Sequence, residues 1–127
     1  MSKYIEEAKE MYEEAKKKEF EEGCKENNHI KMRDASEKAW ISVVLATNEL
    51  FAKRNVPIPK SHRERRERLR ELEKRDELIR EKGLVDRFSA RDHHLHEQCF
   101  YEGYCEPDLL EENIEKVERY KREVEDR

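Results

Sequence analysis

Apolar residues recur at three- and four-residue intervals along most of the chain, the period that lines one face of a helix. Tyr4, Ile5, Ala8, Met11, Tyr12 and Ala15 predict a first helix, N-capped by Ser2 and running to about Glu22, where Gly23 and the pair Asn27-Asn28 break it. A second helix is predicted from His29 to about Arg54. Its middle, Trp40-Ile41-Ser42-Val43-Val44-Leu45-Ala46, is apolar nearly all round, so this helix should be central. Ala35, Ala39, Leu50 and Phe51 extend the helical period on both sides and decide against a short buried strand. Asn55-Val56-Pro57-Ile58-Pro59 ends it, because proline has no place in a helical interior.

Ser61 and Glu64 have the spacing of a capping box and open a third helix that runs to about Lys82, with Gly83 as its stop. Only Leu69, Leu72, Leu78 and Ile79 are large and apolar within it, so it should be peripheral. Pairs such as Glu64/Arg68, Glu71/Arg75 and Asp76/Arg80 fall four apart, each worth about 0.2–0.5 kcal/mol if formed. Leu84, Phe88, Leu95 and Cys99 predict a fourth helix from Leu84 to about Tyr101. Gly103 marks the next break. Pro107 suits the first turn of a fifth helix, whose narrow apolar stripe is Leu110, Ile114, Val117, Tyr120 and Val124. The pattern therefore predicts an all-α, up-and-down bundle of about five helices, formed by residues 1–127 as a single domain. Narrow stripes imply a small core, and burying one face against a twin would enlarge it, so a homodimer is expected.

Composition sharpens this reading. Charged residues make up 47% of the 127, a share that also suits disorder, yet the net charge is only −4 and the aromatics fall in helical register, so a folded chain is expected. No stretch approaches a membrane span, and Glu6, Glu7, Glu10, Glu13, Glu14 and Glu19 leave no apolar signal-peptide core. Cys24, Cys99 and Cys105 are few and odd in number, so reduced thiols in a cytoplasm are expected rather than a disulfide scaffold. Gln98 and Thr47 are the single residues of their types amid abundant Glu, Lys and Arg, a bias found in heat-adapted proteins.

The charges are unevenly spread. Residues 53–91 carry 14 Lys and Arg against 8 acids, whereas the segments on either side of this middle are acidic. Such a basic middle attracts phosphate, as nucleic-acid-binding surfaces do, although the interspersed Glu equally describes a solvated helix.

Chemistry concentrates in Arg91-Asp92-His93-His94-Leu95-His96-Glu97-Gln98-Cys99, which holds three of the five histidines. Three readings compete. Pairs such as His93/His96 and His96/Cys99 could share one helical face and ligate a metal, but no second ligand pair of recognisable spacing accompanies them. Alternatively the histidines are structural, with Asp92 bonded to His96 one turn on. In the third, the segment resembles the Arg-x(four to six)-His motif of HEPN domains, which implies that Arg91 and His96 act on RNA: a guanidinium can stabilise the phosphorane and an imidazole can move the proton of a 2′-hydroxyl. Asp92 would orient His96, and no metal or cofactor is needed. Straight α-helical winding puts Arg91 and His96 about 140° apart, so they would meet only in a distorted helix or across a dimer axis.

Arg91-x-x-x-x-His96 fits the Arg-x(four to six)-His motif of HEPN domains, although about 1.7 such matches arise by chance in this composition. The chain from about Ala8 to Val124 resembles the archaeal PaREP family (the PaREP-one group), itself HEPN-like. The resemblance rests on Ala35-Ser36-Glu37-Lys38-Ala39-Trp40, on Ser61-His62, and on Leu95-His96 followed by Phe100-Tyr101-Glu102; at Glu21-Glu22-Gly23-Cys24 the chain departs from the family's Gly-Asp turn. It implies a helical bundle and, for Arg91 and His96, the positions of an RNA-cleaving pair. It gives His62 and Trp40 no role, and Trp40 is expected in the core with a buried acceptor for its indole N–H. The expectation is a cytoplasmic homodimer that binds or cleaves RNA through Arg91, His96 and Asp92. The alternatives are a non-catalytic module with a protein partner, such as a nucleotidyltransferase, and third a metal-binding bundle.

Overall fold

The least polar stretch of sequence lies at the centre of the molecule. A computed structural model describes residues 3–126. Among these the chain forms α1 (Lys3–Glu13), a π-helical segment π1 (Glu14–Phe20), α2 (Glu21–Lys25), α3 (His29–Lys53), α4 (His62–Arg75), α5 (Glu77–Glu81), α6 (Leu84–Arg91), a second π-helical segment π2 (Asp92–Tyr101) and α7 (Pro107–Glu125), with no strand. α1, π1 and α2 follow one another without a break, as do α6 and π2, so the architecture is the predicted all-α bundle of about five rods. The predicted N-cap Ser2 lies outside the described residues.

α3 packs against α1, π1, π2 and α7 and buries Ala35, Ala39, Trp40, Val43, Ala46, Leu50 and Phe51. Three buried hydroxyls on it find partners of their own. Ser36 donates to the carbonyl of Leu95, Ser42 to that of Ala8 at 2.6 Å, and Thr47 to its own helix at Val43. Because Thr47 spends its hydrogen there, the Tyr120 hydroxyl 2.6 Å away donates to Thr47. Full burial holds that phenol well above its usual range, so it stays neutral.

Several local expectations are corrected. The first rod continues through Gly23 to Lys25; a Cβ at Gly23 would lie 3.1 Å from Lys31 Cβ and Met32 Cγ, so the glycine serves the close approach of α2 and α3. The break comes at Asn27, in the left-handed region at φ 52°, and Asn28 caps α3 through Lys31 N. The third rod is interrupted at Asp76, whose carboxylate caps α5 through Leu78 N and Ile79 N and accepts from Arg54 Nε at 2.7 Å. Asp76 is therefore not paired with Arg80; α4 instead carries Arg63–Glu67 and Arg68–Glu71, in place of Glu64/Arg68 and Glu71/Arg75. The Ser61 and Pro107 helix starts stand as expected. Trp40 is in the core, but its indole N–H finds no acceptor among the described residues. Cys99 and Cys105 are joined in a disulfide, against the expectation of free thiols; Cys24 alone is free.

Candidate functional site: a histidine pair over Trp40

Glu37 and Trp40 stand three residues apart on α3, so they project from neighbouring positions on one side of the helix. His62 opens α4 directly after its Ser61 cap, and His96 lies midway along π2. These four side chains converge. The two imidazoles lie 5.4 Å apart between ring centroids, at 67° to each other. Trp40 supports both, with His62 on it at 5.3 Å and His96 stacked at 5.8 Å. Phe88 packs on Trp40 at 5.1 Å.

π2 shapes the other side. Its i→i+5 bonding makes the helix wider than an α-helix. Both the fourth and the fifth neighbour of His96 then reach its ring, Phe100 at 6.1 Å and Tyr101 at 4.9 Å. Arg33 pins the end of π2 by donating from Nε to Phe100 O at 2.8 Å, from Nη2 to the same oxygen, and from Nη2 to Tyr101 O at 3.3 Å.

The hydrogen-bond partners define the two rings differently. His96 Nδ1 lies 2.8 Å from Glu37 Oε1; a carboxylate accepts, so Nδ1 carries a proton and Nε2 is the nitrogen through which the ring can exchange one. His62 Nδ1 lies 3.1 Å from Arg65 Nη1; a guanidinium only donates, so Nδ1 accepts and the proton sits on Nε2. Arg65 is buried and held by Asn48 Oδ1 and Pro59 O, which makes this arrangement rigid. Burial first, then the charge of Arg65, then His96, pushes the His62 pKa below the ordinary histidine value. The pair thus combines a carboxylate-oriented base with a neutral N–H donor. Beside it, Arg66 Nη1 donates to Asp92 Oδ2 at 3.0 Å; the arginine side chain is 42% exposed and the aspartate 9%. Arg66 also joins Arg63 and Arg70 in lining a cleft of about 160 Å³ between α4 and α6.

The residues singled out in the sequence are not all gathered here. Among the described residues no hydrogen bond, ion pair or ring contact joins Arg91 to His96. Arg91 is buried against α7, where burial and the neighbouring Arg87 and Arg119 lower its pKa. Asp92 does not orient His96, because Arg66 claims its carboxylate and Glu37 takes that part. His93 is exposed near Glu97, and His94 bonds to Gln98. The Cys99 sulfur, a possible ligand in the metal reading, is taken by Cys105. Glu37, His62 and Arg66 had no role assigned from sequence. A signal was present for the first two: the separated pieces 35–40, 61–62, 95–96 and 100–101 all meet around this pair.

Fold and site together define a small helical bundle with an aromatic-lined imidazole pair. Over residues 1–126 the chain matches a family described as a domain of unknown function, DUF5618, and it belongs to that family. No curated protein and no solved structure matches it. No helix among the described residues is long and apolar enough to cross a membrane.

Proposed function

We propose that the protein binds single-stranded RNA and cleaves it by attack of a ribose 2′-hydroxyl on the adjacent phosphate. The observation that carries this reading is the pair of unlike imidazoles 5.4 Å apart, one oriented by Glu37 and one kept neutral by burial and then by Arg65. His96 Nε2 takes the 2′-hydroxyl proton, with Glu37 stabilising the imidazolium that forms. His62 Nε2–H and the Arg66 guanidinium donate to the non-bridging oxygens as negative charge builds on phosphorus. The P–O2′ bond forms and the P–O5′ bond breaks, leaving a 2′,3′-cyclic phosphate and a 5′-hydroxyl. The proton on His96 passes to solvent and the departing oxygen is protonated in turn, so no further reactant is consumed.

The exposed rings of Tyr101 and Tyr104 offer faces on which unstacked bases can lie, the usual mode of single-strand recognition. The resemblance to HEPN-like bundles supports the same substrate class. Within one subunit Arg66 takes the phosphate-binding part that the resemblance implied for Arg91.

The test is cleavage of single-stranded RNA by wild type, His96→Ala, His62→Ala and Arg66→Ala, with folding checked by circular dichroism and with chelator as a parallel arm. Loss of a hundredfold or more in His96→Ala is expected, from the usual worth of a positioned base. Cleavage that persists in folded His96→Ala and His62→Ala overturns the site, and cleavage abolished by chelator overturns the metal-free route.

A further inference from the structure

On its α7-facing side, α6 borders a second cleft of about 300 Å³, lined by Asp86, Arg87, Ala90, Arg91, Lys116 and Arg119. None of these residues belongs to the histidine site. Four of the six are cations, against Asp86 at the wall and Glu112, which is already bonded to Lys116 at 3.1 Å. Arg87, Arg91 and Arg119 have no ion pair among the described residues, and like charges crowded in this way are costly unless something negative joins them.

The arginines differ in what they do. Arg87 sits over the Tyr120 ring at 5.8 Å and reaches the carbonyl of Lys82 at 3.5 Å. Arg119 is exposed and makes no hydrogen bond or ion pair among the described residues. Arg91 is only 6% exposed, and its buried Nε–H finds no acceptor among the described residues. Buried polar groups are nearly always satisfied, and a charged N–H left without an acceptor is a costly exception. Its lowered pKa, caused first by burial and then by Arg87 and Arg119, reports the same uncompensated charge.

We infer that this cleft is a binding site for a phosphate group, held by Arg91 and Arg119 with Arg87 and Lys116 at its edge. Several guanidiniums around one pocket suit a tetrahedral dianion, whose oxygens can accept from more than one fork at once, better than a planar monoanionic carboxylate. The site goes beyond the proposed cleavage chemistry and does not depend on it. Phosphate can arrive free or as part of a nucleic-acid backbone.

Thermal unfolding read at constant ionic strength tests it, with sodium chloride replaced by inorganic phosphate, by pyrophosphate, by acetate, or supplemented with a short single-stranded RNA. The melting temperature should rise saturably with phosphate and pyrophosphate, and not with acetate. In Arg119→Gln, an exposed position whose change leaves the core intact, the midpoint concentration should rise roughly tenfold. Lys17→Gln, exposed in the acidic N-terminal region, should match wild type. A larger Arg119-dependent shift with RNA identifies a backbone phosphate as the ligand; a larger one with the free anions identifies free phosphate. Equal responses in wild type and Arg119→Gln for every anion, or a phosphate response no larger than that of acetate, overturn the inference.

Discussion

Replacing Arg33 by Ala removes the side chain that closes the C-terminal end of π2. The last carbonyls of a helix lack intrahelical donors, and a cationic side chain that reaches them also meets the negative end of the helix dipole. Arg33 supplies three contacts to two such oxygens, those of Phe100 and Tyr101. A hydrogen bond from a charged donor contributes about 1.5–3 kcal/mol net. Two of the three share one oxygen and the region is only partly buried, so the low end for the whole group, about 2 kcal/mol, is the better figure. For a domain of this length each kcal/mol moves the melting temperature by about 4 °C, which gives a loss of about 8 °C in Arg33→Ala. Arg33→Lys keeps the charge but not the fork and should recover roughly half. A local signature should accompany the shift. The amides of Glu102, Gly103 and Tyr104, bonded back to Glu97, Cys99 and Gln98, should exchange faster, and the His96 ring protons should lose ring-current shift as Phe100 and Tyr101 loosen. An Arg33→Ala variant melting within about 2 °C of wild type, with unchanged exchange, would refute the reasoning.

Two further outcomes follow from groups whose titration is displaced. The Arg54 bond, ahead of its backbone donors, holds the Asp76 carboxyl below the usual carboxylate value of 3.8; its stabilisation is complete above that pH and lost as pH falls through the folded-state value. Asp76→Ala should cost about 2 kcal/mol at pH 7, one part cap and one part partly buried ion pair, and Asp76→Asn about half that, by urea titration. The His62 pKa is depressed from 6.5, so the neutral ring contributes stability that is complete above pH 6.5 and falls away as pH drops through the lower folded value. Melting temperature should therefore decline from pH 7 to 5 more steeply in wild type than in His62→Gln; identical slopes would contradict the assignment.

What the sequence revealed followed from periodicity and punctuation. Leu84, Phe88, Leu95 and Cys99 were expected to face inward and are all buried, and Asn28, Ser61 and Pro107 start helices because their chemistry is local. The candidate site was legible only in part. Spacing arguments assumed α-helical winding, under which Asp92 sits one turn from His96, and the wide winding of residues 92–101 invalidates that geometry. Glu37 and Arg66 lie 59 and 26 residues from the groups they bond, and no local pattern announces such partners. The Cys99–Cys105 bridge was missed for a similar reason. Odd cysteine number spoke against a scaffold, but it carried no information on a turn at Gly103, φ 76°, that brings two thiols together.

The ten residues of π2 carry a consequence for reading other members of the family. A π turn holds about one residue more than an α turn, so it is what an α-helix becomes when a residue is inserted and the flanking anchors stay fixed. Relatives lacking one position in this stretch would revert to the tighter spiral, and a neighbour of His96 would then face Trp40. Gap placement here, more than the identity of any one amino acid, would mark which relatives keep the two imidazoles edge to face and which have given them up.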